Sequence, residues 1–171
     1  MARRRSRRAW PPRITVAKWG MWLVNIDEKA LGMNFVESRL LGIQIDETGR
    51  EVVMSLIEAS GARFALQLHG VERLLINEVR QQNIVEDLTH WKRGAPSVAL
   101  RQAAFALMAG VPEKDCGVEL VAVARSVMDM VVRGELEMIE ISAVFGAQSL
   151  ASFRSMTVRT GLETPGAQSI A

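Results

Sequence analysis

The chain has no tyrosine, a single cysteine, two histidines and only 5% aromatic residues. Each scarcity removes a class of protein. The lone thiol, Cys116, cannot form an intramolecular disulfide, and the expected setting is a reducing, cytoplasmic one. Two histidines, His69 and His90, leave too little material for a multi-histidine metal centre. No apolar stretch approaches the roughly 18–20 residues needed to span a bilayer, so no integral membrane segment is expected. Also missing are a GxGxxG after a strand, a GxxxxGK[ST] loop, a GxSxG elbow and a CxxC pair. No cofactor and no small-molecule substrate is therefore implied by a motif.

What remains is a chain of 171 residues, 49% of them hydrophobic, enough to bury one sizeable core. Its net charge of +2 hides an uneven distribution. Residues 1–18 hold seven basic side chains (Arg3, Arg4, Arg5, Arg7, Arg8, Arg13 and Lys18) and no acid. The remainder carries fourteen basic against nineteen acidic residues, a net of −5. The reading is a flexible basic arm at 1–18, a single domain at 19–160 and a frayed tail at 161–171. ITVAKWGMWLV is interrupted by Lys18 and runs into NIDEK, which argues against a secretory signal. Instead, MWLVNI is read as a first strand with Trp19 and Trp22 packed on a sheet.

Strand signals follow in close succession. RLLGIQI places Leu41, Ile43 and Ile45 on one face. EVVMSLIE sets Val52, Met54 and Leu56 against Glu51, Val53 and Ser55, and RFALQLH aligns Phe64, Leu66 and Leu68. Short turns containing Gly49 and Gly61 make this an antiparallel meander. A single helix over 71–91 would split its apolar residues between opposite sides, so VERLLINEV and NIVEDLTHW read as two further strands. SVALRQAAFALMAG has strong helix formers and is apolar nearly all round, which suits a core or subunit contact. GVELVAVARSVMDMVVRGE has Leu120, Val123, Val127 and Val131 opposite a charged side, with Asp115 near its start to cap it. Arg125–Asp129 and Asp129–Arg133 are spaced for surface ion pairs. LEMIEISAVFG returns to alternation, aligning Ile139, Ile141, Ala143 and Phe145. AQSLASFRSMTVR fits a short helix and strand, or one bent strand. The fold class is α+β: a meander of about four to six strands, two helices and a returning C-terminal strand.

Three constellations carry possible chemistry. In EDLTHW an extended backbone puts Glu86, Leu88 and His90 on one face, with Glu86 and His90 roughly 13 Å apart. A coiled backbone would bring them together as a partial metal or acid/base pair. His69 shares a face with Gln67 and Arg63, away from Phe64. Glu135, Glu137 and Glu140 follow Gly134 without the spacing of a calcium loop.

The leading expectation is a non-enzymatic protein-interaction domain, inhibitor- or immunity-like or self-associating, with Leu100, Phe105 and Met108 at the interface. An acidic sheet surface would suit a basic target. The first alternative is nucleic-acid association through Arg3, Arg4, Arg5, Arg7 and Arg8. The second is a hydrolase or metal-dependent enzyme using Glu86, Asp87 and His90.

Overall fold

The computed structural model describes residues 35–80, 82–111 and 113–160. The basic arm at 1–18, the strand read in MWLVNI and the tail at 161–171 lie outside the described residues. Eight strands and two helices follow in the order β1 (Arg39–Ile45), β2 (Glu51–Ile57), β3 (Arg63–His69), β4 (Arg73–Asn77), β5 (Ile84–Trp91), α1 (Val98–Ala109), α2 (Val118–Arg133), β6 (Glu137–Phe145), β7 (Gln148–Phe153) and β8 (Ser155–Thr160). This is the expected α+β order of meander, helices and returning strands. The strands number eight rather than four to six, and three return rather than one. The bent-strand reading of AQSLASFRSMTVR accounts for part of the excess, because the chain bends at Arg154 and both halves pair.

All neighbours are antiparallel, in the order β4-β7-β6-β5-β1-β2-β3-β8. The two ends of that order belong to strands that continue into one another. β3 runs through Gly70–Glu72 into β4, and β7 runs through Arg154 into β8. β3 pairs with β8, and β4 with β7. Arg154 N donates to His69 O and Glu72 N to Ser152 O, both at 2.9 Å, so pairing carries across the bend. The sheet thus folds back on itself as a flattened barrel with two walls. One wall is β4-β7-β6-β5 and the other is β1-β2-β3-β8.

The walls also meet where β1 touches β5. Only Arg39 and Ile84 form a ladder pair there. Leu40 N donating to Asn83 O, Val85 N to Ser38 O and Glu37 N to Val85 O extend this narrow junction. Asn83 reinforces it from the side. Its Oδ1 accepts from Arg80 N and Ala147 N, both at 3.0 Å, and its Nδ2 donates to Arg80 O at 2.8 Å. One amide side chain therefore ties the β4–β5 turn to the β6–β7 hairpin. Gly146 lies against it at φ +103°, and a Cβ there would stand 2.2 Å from Asn83 Oδ1. Only glycine fits.

Period-two alternation sorts the side chains. Val52, Met54, Leu56, Phe64, Leu66, Leu68, Leu88, Ile139 and Ile141 point between the walls into one core. A second core lies outside the first wall. There Trp91, Met138 and Leu150 meet Leu100, Ala103, Ala104 and Leu107 of α1 and Val127 and Val131 of α2. Burying each large aliphatic contributes roughly 1.5–3 kcal/mol, which is why α1 can be apolar on most sides. Ser97 caps α1 by accepting from Leu100 N at 2.9 Å. Gly110 and Gly134 end the helices in left-handed backbone. Asp115 sits in a short 3-10 turn, and the N-cap of α2 is Gly117, with no side-chain cap. Arg125 and Arg133 turn to Glu113 and Glu135 instead of forming the expected close pairs with Asp129. Glu113 also receives Arg101, whose guanidinium holds its carboxyl below the usual range. This carboxylate clamps the two helices together.

Candidate functional site

The structure does not bring Glu86, Asp87 and His90 together. The β5–β6 register shifts between Val85 and Asp87. Both Val85 and Leu88 face the core, so Glu86 and Asp87 fall together on the outer side. Asp87 accepts from Thr89 Oγ1 at 2.8 Å. His90 points the other way and is 0% exposed. Its partner comes from β6: Nε2 donates to Glu137 Oε2 at 2.7 Å, and its ring stacks on Phe153 with centroids 5.9 Å apart. Lys92 Nζ stands 4.0 Å from the same carboxylate oxygen. His90 is therefore no solvent-facing strand residue but half of an internal polar bridge. Nδ1 has no hydrogen-bond partner among the described residues.

The three later glutamates also separate. Glu135 accepts from Arg133, Glu137 from His90, and Glu140 from Gln148 Nε2 at 2.8 Å. Burial pushes the Glu140 carboxyl up, Gln148 opposes that, and the Asp87 charge raises it further. Among the described residues no group of three His, Cys, Asp or Glu side chains could hold a metal ion. Cys116 is partly exposed, with Sγ 3.8 Å from Val111 O.

The interface residues expected on α1 are committed elsewhere. Leu100 and Phe105 are each 2% exposed, and Met108 packs against the second core. The arm arginines Arg3, Arg4, Arg5, Arg7 and Arg8 lie outside the described residues. Among the described residues no helix is long and apolar enough to cross a membrane.

The outer side of β1-β2-β3-β8 carries a second set of polar side chains. No described element covers it, whereas the outer side of the opposite wall lies under both helices. The register fixes its rows. Arg39, Ile57 and Arg63 lie side by side across three strands. Gly42, Ser55, Ala65 and Arg159 form the next row, then Gln44, Val53, Gln67 and Thr157, then Glu51, His69 and Ser155. At the last of these His69 Nδ1 donates to Glu51 Oε2 at 2.6 Å, leaving Nε2 to accept from Thr157 Oγ1 at 3.2 Å in the neutral ring. This acid–imidazole–hydroxyl chain spans β2, β3 and β8 on an open surface. It links three strands through side chains.

At the opposite end stand the arginines. Arg39, Arg63 and Arg159 form no ion pair among the described residues, and neither do Arg50, Arg73 and Arg93, while Arg80, Arg101, Arg125, Arg133 and Arg154 each meet a glutamate. Sequence reasoning missed this cluster because the three residues are far apart in the chain. Only the register of two ladders, β1·β2·β3 and β3·β8, sets them side by side. Alternation does place Arg63 and Arg159 opposite core-facing neighbours, but it sets Arg39 on the face of Leu41, Ile43 and Ile45, and only the register shift between Leu40 and Gly42 turns it outward. No family model, curated protein or solved structure matches the chain.

Proposed function

We propose that this protein is a non-enzymatic, cytoplasmic protein-interaction domain whose working surface is the outer side of β1-β2-β3-β8. The observation that carries the reading is the asymmetry of the two walls. One outer side is buried beneath α1 and α2; the other presents half-buried Val53, Ser55, Ile57 and Gln67, with exposed Arg39 and Arg159 and half-buried Arg63 at its margin. Arginine is among the side chains enriched at protein-binding surfaces, in which lysine and glutamate are depleted. The reading moves the interaction surface from α1, where Leu100 and Phe105 are already covered, to the sheet. It draws nothing from Glu86, Asp87 and His90, which the β5 bulge and the inward turn of His90 keep on opposite sides of the wall.

A photo-crosslinking residue placed at Ser55 in the full chain, and separately at Asp129 on the far face of α2, tests it in cells. The expected result is a discrete protein adduct from position 55 and none from position 129. Equal yields at both positions, or no adduct at 55, end the proposal. An adduct to a second copy of this chain would mark the self-associating form of the same reading.

A further inference from the structure

We infer that the surface docked against this wall is an acidic protein surface with an apolar centre, seated on Arg39, Arg63 and Arg159 around Ile57 and Ala65. The inference rests on the reading above and adds the chemistry of the partner. Arg39 and Arg63 lie two strand spacings apart, about 10 Å, with Ile57 between them. Arg159 stands across from Ala65, one strand beyond Arg63 and two residues along. The three cations therefore form a shallow bent row, about 10 Å from Arg39 to Arg63, about 8 Å from Arg63 to Arg159 and about 16 Å end to end, beside an aliphatic floor. Carboxylates spaced along one face of a partner strand or helix match that row. Each guanidinium offers a planar fork of donors to a carboxylate and sheds its hydration more readily than an ammonium.

The sign of the charge is the telling part. The chain beyond residue 18 is net acidic, so a row of arginines with no ion pair among the described residues runs against the general field of the body. Such a patch repels the chain's own basic arm and attracts a negative surface. This reverses the expectation of an acidic sheet matched to a basic target. The turn beyond the first row carries Glu58, which already accepts from Ser60 Oγ at 3.0 Å. A nucleic acid fits less well, because the rows contain no phenylalanine or tryptophan on which a base could stack, and His69 is tied between Glu51 and Thr157. A phosphate backbone would also leave Ile57 and the 46%-exposed Leu41 uncovered.

The test uses the full chain and two defined probes, a synthetic Glu/Leu peptide and a mixed-sequence single-stranded RNA, followed by calorimetry and by 1H–15N spectra. The peptide is expected to bind more tightly than the RNA and to perturb the amides of Ile57, Ala65 and Arg159. Arg39→Glu with Arg63→Glu and Arg159→Glu weakens it about tenfold or more, while the triple lysine variant keeps the charge and loses only part of the affinity. Glutamine at Arg3, Arg4, Arg5, Arg7 and Arg8 leaves peptide binding unchanged. Tighter binding of the RNA, loss of peptide binding on changing the arm instead of the wall, or no peptide binding at all overturns the inference. A protein adduct at position 55 combined with any of those results leaves the binding wall in place and removes only the acidic partner. Peptide binding without an adduct does the reverse.

Discussion

Replacing Asn83 with alanine tests how the two walls are held together. The side chain is 7% exposed and makes three hydrogen bonds. Two of them go to Arg80 in a part-buried turn, where water can substitute and each loss costs about 0.5 kcal/mol. The third receives the amide of Ala147, which is 1% exposed and has no route to water. Stranding that donor costs about 1–3 kcal/mol. The whole substitution should destabilise the fold by about 2–4 kcal/mol, or lower the melting temperature by roughly 6–12 °C. Urea denaturation gives the first number and scanning calorimetry the second. Hydrogen exchange adds the discriminating detail, since the Ala147 amide should lose protection by more than its neighbours in β7. A loss under about 1 kcal/mol, or an Ala147 amide as protected as before, would refute the claim that this side chain joins the turn to the hairpin.

Other substitutions probe other parts. Gly146→Ala forces a Cβ against Asn83 Oδ1 and strains a positive φ, so it should cost at least about 2 kcal/mol in urea denaturation. Asp46 accepts from Glu51 N at 2.9 Å, Thr48 Oγ1 at 2.7 Å and Arg50 N at 2.9 Å, which hold its carboxyl down from 3.8 to about 2. A depressed folded value gives stabilisation that is complete above the unfolded value and lost as pH falls through about 2. Asp46→Asn should therefore lower stability at neutral pH and flatten the acid limb between about pH 4 and pH 2, read from denaturation midpoints across that range. Glu140 has the opposite sign, because its raised folded value makes stability fall as pH rises out of the ordinary carboxylate range. Glu140→Gln should remove that fall, with a gain over the natural chain at pH 7 but not at pH 4; an equal effect at both pH values would contradict it.

Much of the architecture was legible because alternation and turn chemistry act locally. Val52, Met54 and Leu56, and Phe64, Leu66 and Leu68, face the core as their period requires. The errors arise where one extra residue enters a strand. Between Leu40 and Gly42 the β1–β2 register shifts, so Leu40 and Ile43 face inward while Leu41 is exposed, instead of Leu41 sharing a face with Ile43. The bulge near Glu86 likewise moves that residue off the face of Leu88 and His90. No sequence period announces such an insertion. In α2 the buried stripe is Ala124, Val127 and Val131, while Leu120 and Val123 remain over 40% exposed. The helix begins before it reaches the cover of the other elements, a matter of placement that amphipathicity does not encode. The candidate site was harder still. His90 finds Glu137 at a separation of 47 residues, and the arginine row depends on ladders that close only when the C-terminal strand arrives.

That late arrival bears on how the protein is made. Residues 63–69 pair with residues 155–160, so β3 keeps one edge unpaired until β8 has been made. β8 also brings Arg159, so the same event that seals the ring completes the proposed binding surface. A chain interrupted before Ser155 would leave the ribosome with a sticky strand edge exposed and only two of the three arginines of the proposed surface in place.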